Sequence, residues 1–198
     1  MEHEAFVDRV MRRMPGGTPR GFEFFSWEHG GRPTKEGFGV MPIAGVDPEK
    51  VVDAVMAVDE YVGNLDHVSI CRAVPDDRYD GDNEVRFYQK VDIPLLGSVH
   101  HELVLHRMAP RDGYHIAAWH LLERETGSLS PKAGFRSEYN HGAWIAAPGV
   151  LGYALSSAPN RKDVGFLKFK ALTKGADAAA SKVLQANLKA MAAWSARR

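Results

Sequence analysis

Cysteine is nearly missing. Cys71 stands alone among 198 residues, which excludes an intrachain disulfide framework and a cysteine-rich zinc site. A solitary thiol fits a reducing compartment, so a cytoplasmic address is expected. No excess charge of either sign is present: 25 Lys and Arg balance 25 Asp and Glu, leaving no long-range attraction for phosphate backbones or anionic membranes. Nucleic acid is therefore not an expected partner. Long hydrophobic runs are missing as well. No stretch reaches the ~18 apolar residues of a membrane span, and the opening MEHEAFVDRVMRRMPGG is charged from its second residue, without the apolar centre of a signal peptide. Repeats and low-complexity segments are absent, and the glycine-rich GGRPTKEGFG and PGG do not match a phosphate-binding strand–loop–helix. What remains is a chain long enough for one domain with a substantial core.

The apolar residues change period twice. Residues 1–14 fit a short helix with Phe6, Val7, Val10 and Met14 on one side, ended by Pro15-Gly16-Gly17, and read as a terminal appendage. FEFFSW at 22–27 is ambiguous, while FGVMPI at 38–43 reads as a strand. Asp47 then offers a cap, Pro48 suits the first helical position, and Glu49 favours the positive end of the dipole. The helix so begun is predicted over 48–61, with Val51, Val52, Val55, Met56 and Val58 on its buried face. From His67 to Pro159 the pattern is period two, divided by turn residues into about six strands. Val85, Phe87, Val91 and Ile93 share one face of the second of these, where Gln89 interrupts them. Val99, His101, Leu103 and Leu105 share a face of the third. Short connections predict an antiparallel meander. After Pro159 helical spacing returns, with Val183, Leu184, Leu188, Met191 and Trp194 in one stripe over 176–195. The preceding VGFLKFKALTKG is either the start of that helix or an apolar loop, with Gly175 a predicted kink.

Helix, antiparallel strands and a long final helix make an α+β chain whose helix lies across a curved sheet. Three segments carry a resemblance. DPEKVVDAVMAVDEYVGNLDHV resembles the first conserved segment of the START-like superfamily, also called SRPBCC or helix-grip proteins. GFRSEYNHGAWIAAPGVLGYALSSAP is similar to its last two strands, and QANLKAMAAW to the end of its long helix. The chain departs from the family pattern at Tyr61-Val62, where Tyr-Pro is common, and in its longer N-terminal segment. The resemblance implies a helix-grip fold: a curved antiparallel sheet of about six or seven strands wrapped around the C-terminal helix. It divides the chain into an extension, 1–37, packing on a ligand-binding domain, 38–198. It further implies a cavity between sheet and helix for a lipid, sterol or polyketide-like molecule, with binding and transfer as the expected function.

The residues expected at such a cavity are Phe87, His101, Leu103, Trp119, Tyr139, His141, Trp144, Tyr153, Leu184 and Leu188, an apolar set with a few polar groups. The other reading of the same side chains is a packed core with no space. A cyclase or dehydratase of this fold is the alternative function, with His101 or His141 as the general acid or base. A second alternative is a protein-interaction module, in which FEFFSW and VGFLKF are surface patches. Histidines are concentrated on the strands, at 100, 101, 106, 115, 120 and 141. Alternation places His100 and His101 on opposite faces, and likewise His115 and His120, so no metal site and no cofactor are expected. A hydrophobic small molecule is the expected partner; oligomeric state is not legible.

Overall fold

The computed structural model describes residues 2–79, 81–93, 97–166, 169–170 and 176–198. Eight strands form one curved sheet: β1 (Glu23–Trp27), β2 (Glu36–Pro42), β3 (Val68–Ala73), β4 (Glu84–Ile93), β5 (Gly97–Arg111), β6 (Tyr114–Leu121), β7 (Phe135–Ala147) and β8 (Val150–Pro159). Their order across the sheet is β1-β2-β8-β7-β6-β5-β4-β3. Neighbours are antiparallel, with one short parallel contact where Val99 and His100 of β5 meet Phe135 and Arg136 of β7. The count exceeds the expected six or seven because the ambiguous FEFFSW is a strand, β1, pairing with β2 from Glu23↔Val40 to Trp27↔Glu36.

Five helices are described: α1 (Glu2–Met11), α2 (Pro48–Met56), α3 (Glu123–Gly127), α4 (Arg161–Val164) and α5 (Ala176–Ser195). Helix α2 starts as the sequence predicts, with the Asp47 carboxylate accepting the Glu49 amide at 2.9 Å and Pro48 at the first position. It ends at Met56 rather than near residue 61, and a 3-10 turn over Val58–Glu60 follows. There the Tyr61 hydroxyl donates to the Val55 carbonyl at 2.5 Å, folding the chain back onto its own helix. Most of VGFLKFKALTKG, with the predicted kink at Gly175, lies outside the described residues.

Helices cover both faces of the sheet. On the concave face Leu184, Leu188, Met191 and Trp194 of α5 are buried with Val51, Val52, Val55 and Tyr61 at one end of the sheet. Four of the five residues of the stripe read from the sequence are buried; Val183 is exposed, 38% accessible, beside the pocket. Two glycines of β2 let α5 come close: a Cβ on Gly39 would lie 2.8 Å from the Phe22 ring and 3.3 Å from both Leu184 and Leu188, and one on Gly37 would lie 3.3 Å from Leu184. On the convex face Phe6, Val7 and Val10 of α1 are fully buried against Phe38, Val40, Ile116, Ala118, Ala143, Ile145, Val150 and Ala154. The amphipathic spacing of residues 6, 7 and 10 thus serves a second core. Among the described residues no helix is long and apolar enough to cross a membrane.

Candidate functional site

Because α5 lies close along β2, it leaves the opposite flank of the concave face uncovered, and a pocket of about 310 Å³ remains there. Strand alternation supplies its wall. Phe87, Gln89 and Val91 come from β4, Val99, His101, Leu103 and Leu105 from β5, Trp119 from β6, Asn140 and Trp144 from β7, and Tyr153, Leu155 and Ser157 from β8. Val183 and Asn187 of α5 form the roof, and exposed Asp66, His67 and Asp92 mark the mouth. In β8 the pocket-side residues Tyr153, Leu155 and Ser157 are half-buried while the intervening Ala154, Ser156 and Ala158 are buried.

Three aromatic rings make the floor. Trp144 and Tyr153 are direct cross-strand partners and stack with centroids 4.1 Å apart, and Trp119 stacks on Tyr153 at 5.9 Å. Trp119 is paired with Gly142, and its ring lies where a Cβ on that glycine would be. Gly142 therefore makes room for Trp119 across the strand pair, not for its near neighbour Trp144.

One polar cluster interrupts the apolar wall. His101 Nε2–H donates to the Gln89 carbonyl oxygen at 3.0 Å, and its Nδ1 accepts the Ser137 hydroxyl at 2.9 Å. The Asn140 carbonyl oxygen accepts the Trp119 indole N–H at 2.9 Å, which leaves the Asn140 amide nitrogen beside the His101 ring. Burial, aided by nearby His100, pushes the His101 pKa down to about 3. The ring is a neutral hydrogen-bonding group held at both nitrogens. Burial also raises the thiol pKa of Cys71, on β3, to about 12, which keeps it protonated near neutral pH.

Of the residues expected at the cavity, Phe87, His101, Leu103, Trp119, Trp144 and Tyr153 line it. Leu184 and Leu188 lie in the buried seam between α5 and β2 instead. Tyr139 and His141, expected on the pocket side, project from the convex face. Alternation is the physical reason: β7 pairs regularly from Tyr139 to Ala147, so with Trp144 facing the pocket the odd-numbered Tyr139 and His141 face the other way, and the expected set joins both faces of the strand. Ser137 still faces His101, but beyond the register shift that separates it from Tyr139, Asn140 and Trp144 point inward and Tyr139 and His141 outward. His141 packs edge-on against Phe6 of α1 and contacts Arg32, which lies over the Tyr139 ring at 4.6 Å. Asn140, two alternations before Trp144 on the same face, carried a parity signal that was not used. Gln89 carried a visible signal as the one polar residue on an apolar face.

The convex face holds charged and histidine groups under α1. Glu36, wholly buried, takes a two-pronged bond from Arg9 at 2.9 and 2.7 Å and the Trp27 indole N–H at 2.5 Å. Burial favours its neutral form, but the Arg9 and Trp27 bonds outweigh this and hold its pKa below the usual carboxylate value. His3 of α1 stacks on His106 of β5 and His120 of β6. Alternation separates histidines along one strand but places His106 and His120 on the same face of adjacent strands, with Nε2 of the first 3.1 Å from Nδ1 of the second.

No family-level sequence profile matches this chain. No curated protein sequence matches it either. Solved structures do match. A STAR-related lipid transfer protein fragment from Xanthomonas axonopodis superposes with a TM-score of 0.70 at 14% identity, covering 91% of this chain and 97% of that one. Human STARD10 gives 0.71 at 13% identity over 98% of this chain and 81% of its own. The Zhui aromatase/cyclase from Streptomyces sp. R1128 gives 0.55 at 14% identity, with 89% and 95% covered. At these identities the likeness is one of fold, the START-like helix-grip architecture.

Proposed function

We propose that this chain, START-like in fold, binds a compact apolar molecule carrying one hydrogen-bond-accepting group in the pocket between the sheet and α5. The observation that carries the reading is the composition of the wall: aromatic and aliphatic side chains throughout, with Gln89, His101 and Asn140 gathered at one place. Burial of apolar surface at ~25 cal/mol per Å² would supply most of the affinity, and the amide groups of Gln89 and Asn140 would orient a carbonyl or hydroxyl of the guest. The volume of about 310 Å³ stands at the lower end of the ~300–1,000 Å³ usual for small-molecule sites, favouring a fused-ring or single-chain guest over a two-chain lipid. Neighbours of this fold described as lipid transfer and aromatase/cyclase proteins are consistent with such guests.

The cyclase alternative depends on a histidine that can take up a proton near neutral pH. His101 is held by Gln89 and Ser137 with its pKa near 3, and His141 is on the other face of the sheet. Both observations favour binding over acid–base catalysis. The interaction-module alternative has less to offer a partner, since Phe25 of FEFFSW stacks on buried Phe38 and Phe22 lies against Gly39, although Phe166 is exposed.

Native mass spectrometry of protein purified from its own source should show a co-purifying small molecule. A naphthalene-based fluorescent probe, competed by fused-ring phenols and by straight-chain alcohols, measures the preference. Leu155→Trp, which fills the pocket, should weaken probe binding at least tenfold while circular dichroism is unchanged. Probe binding equal in the filled variant and the original protein would defeat the proposal.

A further inference from the structure

Beneath the N-terminal helix, away from the pocket, three imidazoles from three elements meet. His3 comes from α1, His106 from β5 and His120 from β6, and one ring nitrogen of each lies within 4.8 Å of the others. Their rings are nearly parallel, with centroids 4.2 Å apart for His3 and His106 and 5.1 Å for the other two pairs. Stacking alone does not explain the polar atoms. His3 is 3% exposed, and its Nδ1 has no hydrogen-bond partner among the described residues. A buried nitrogen of this kind keeps hydrogen-bonding or ligating capacity that the protein itself does not use.

We infer that His3, His106 and His120 form a site for a divalent transition-metal ion of the zinc class, which fastens α1 to the convex face of the sheet. The donor set decides the class: three neutral imidazoles suit zinc, cobalt, nickel or copper and are poor ligands for calcium or magnesium. Tetrahedral zinc–imidazole bonds of ~2.0–2.1 Å place ligand nitrogens ~3.3 Å apart. His106 Nε2 and His120 Nδ1 are already at 3.1 Å. A ring nitrogen of His3 lies within 4.8 Å of both, and to ligate an ion with them the His3 ring must tilt out of its stack on His106. With His106 Nδ1–H given to Glu84, the bond between the two sheet histidines is donated by His120 Nδ1–H; binding an ion there moves that proton to His120 Nε2 and frees Nδ1 as a ligand.

The outer shell is also in place. The Glu84 carboxylate accepts from His106 Nδ1–H at 2.8 Å, which fixes the tautomer leaving Nε2 as the ligand atom, the usual arrangement around a metal-bound imidazole. His120 and the Glu84 side chain are only half-buried, so an ion can enter from solvent, and water can complete the coordination.

The test is a titration of chelator-treated protein with zinc chloride, read by competition with a colorimetric chelator, and with cobalt chloride, read by the visible bands of tetrahedral cobalt. One ion per chain should bind, raise the melting temperature and give the tetrahedral spectrum. His3→Gln and His120→Gln should each weaken zinc binding at least tenfold and abolish the cobalt bands, and Glu84→Gln should weaken it by less. His115→Gln, on the same strand but outside the cluster, should change nothing. Circular dichroism checks that each variant is folded; His120→Gln, at the half-buried edge, keeps the test available if His3→Gln loosens the helix. Failure of zinc to bind, or equal affinity in the original protein and both histidine variants, would overturn the inference.

Discussion

Burial holds the His101 imidazole neutral down to about pH 3, against about 6.5 for an exposed histidine. In the unfolded chain the same ring takes up a proton as the pH falls below about 6.5, so between these values the unfolded state binds more protons and stability falls as the solution is acidified. At pH 5 the loss should reach about 2 kcal/mol from this residue. Denaturant midpoints measured from pH 7 to pH 4 for the protein and for His101→Gln should show this loss as a shrinking stability difference between the two. A difference independent of pH would mean the ring is already solvated. Trp144 is 3% exposed and stacked on Tyr153. Trp144→Ala should cost about 3–5 kcal/mol in urea unfolding, and an unchanged midpoint would remove the ring from the floor. Gly142→Ala places a methyl group inside the Trp119 ring and 2.5 Å from the Ala154 carbonyl. The variant should lose stability and shift tryptophan fluorescence, since Trp119 must move.

At the scale of elements, the anchoring of α1 rests on a charge pair inside an apolar seam. Removing Arg9 leaves buried Glu36 to the Trp27 indole and the more distant Arg32, at 4.0 Å, so Arg9→Met should cost about 3 kcal/mol, and the double variant Arg9→Met/Glu36→Gln should recover part of it. Thermal unfolding of the three proteins checks the ordering. The same element shows where the sequence was legible. Spacing at Phe6, Val7 and Val10 announced a helix with one apolar side; nothing local announced that the side met the back of a sheet from residues 38–154. The cap of α2, the stripe of α5 and the strand meander were readable because each is set by neighbours along the chain. The faces of Tyr139 and His141 were not, because alternation fixes only that they oppose Trp144, and which parity of β7 meets the pocket is set by its pairing with β6 and β8. The His3 cluster was invisible because its members come from three elements, and periodicity within a strand does not report on partners across strands.

For the whole molecule, the covered convex face is the unexpected feature. The sheet is sandwiched, with α5 and α2 on one side and α1 on the other. Removing residues 1–14 would leave Phe38, Val40, Ile116 and Ile145 bare, an apolar patch of the kind that drives association. The shortened chain should bind a hydrophobic dye and show a concentration-dependent mass in analytical ultracentrifugation, whereas a monomeric, dye-free product would make α1 dispensable.

The glycines of β2 reach further than their size suggests. Because Gly37 and Gly39 have no side chain, α5 settles against one edge of the sheet, and the unfilled space opens at the other. The dimensions of the pocket are thus governed by residues that do not touch it. A methyl group at Gly37 would press on Leu184, lift that flank of the helix and bring Val183 and Asn187 to a new height above Phe87 and Gln89. Discrimination among guests would then be adjustable from outside the binding surface, by changing how far the helix leans rather than what the guest meets.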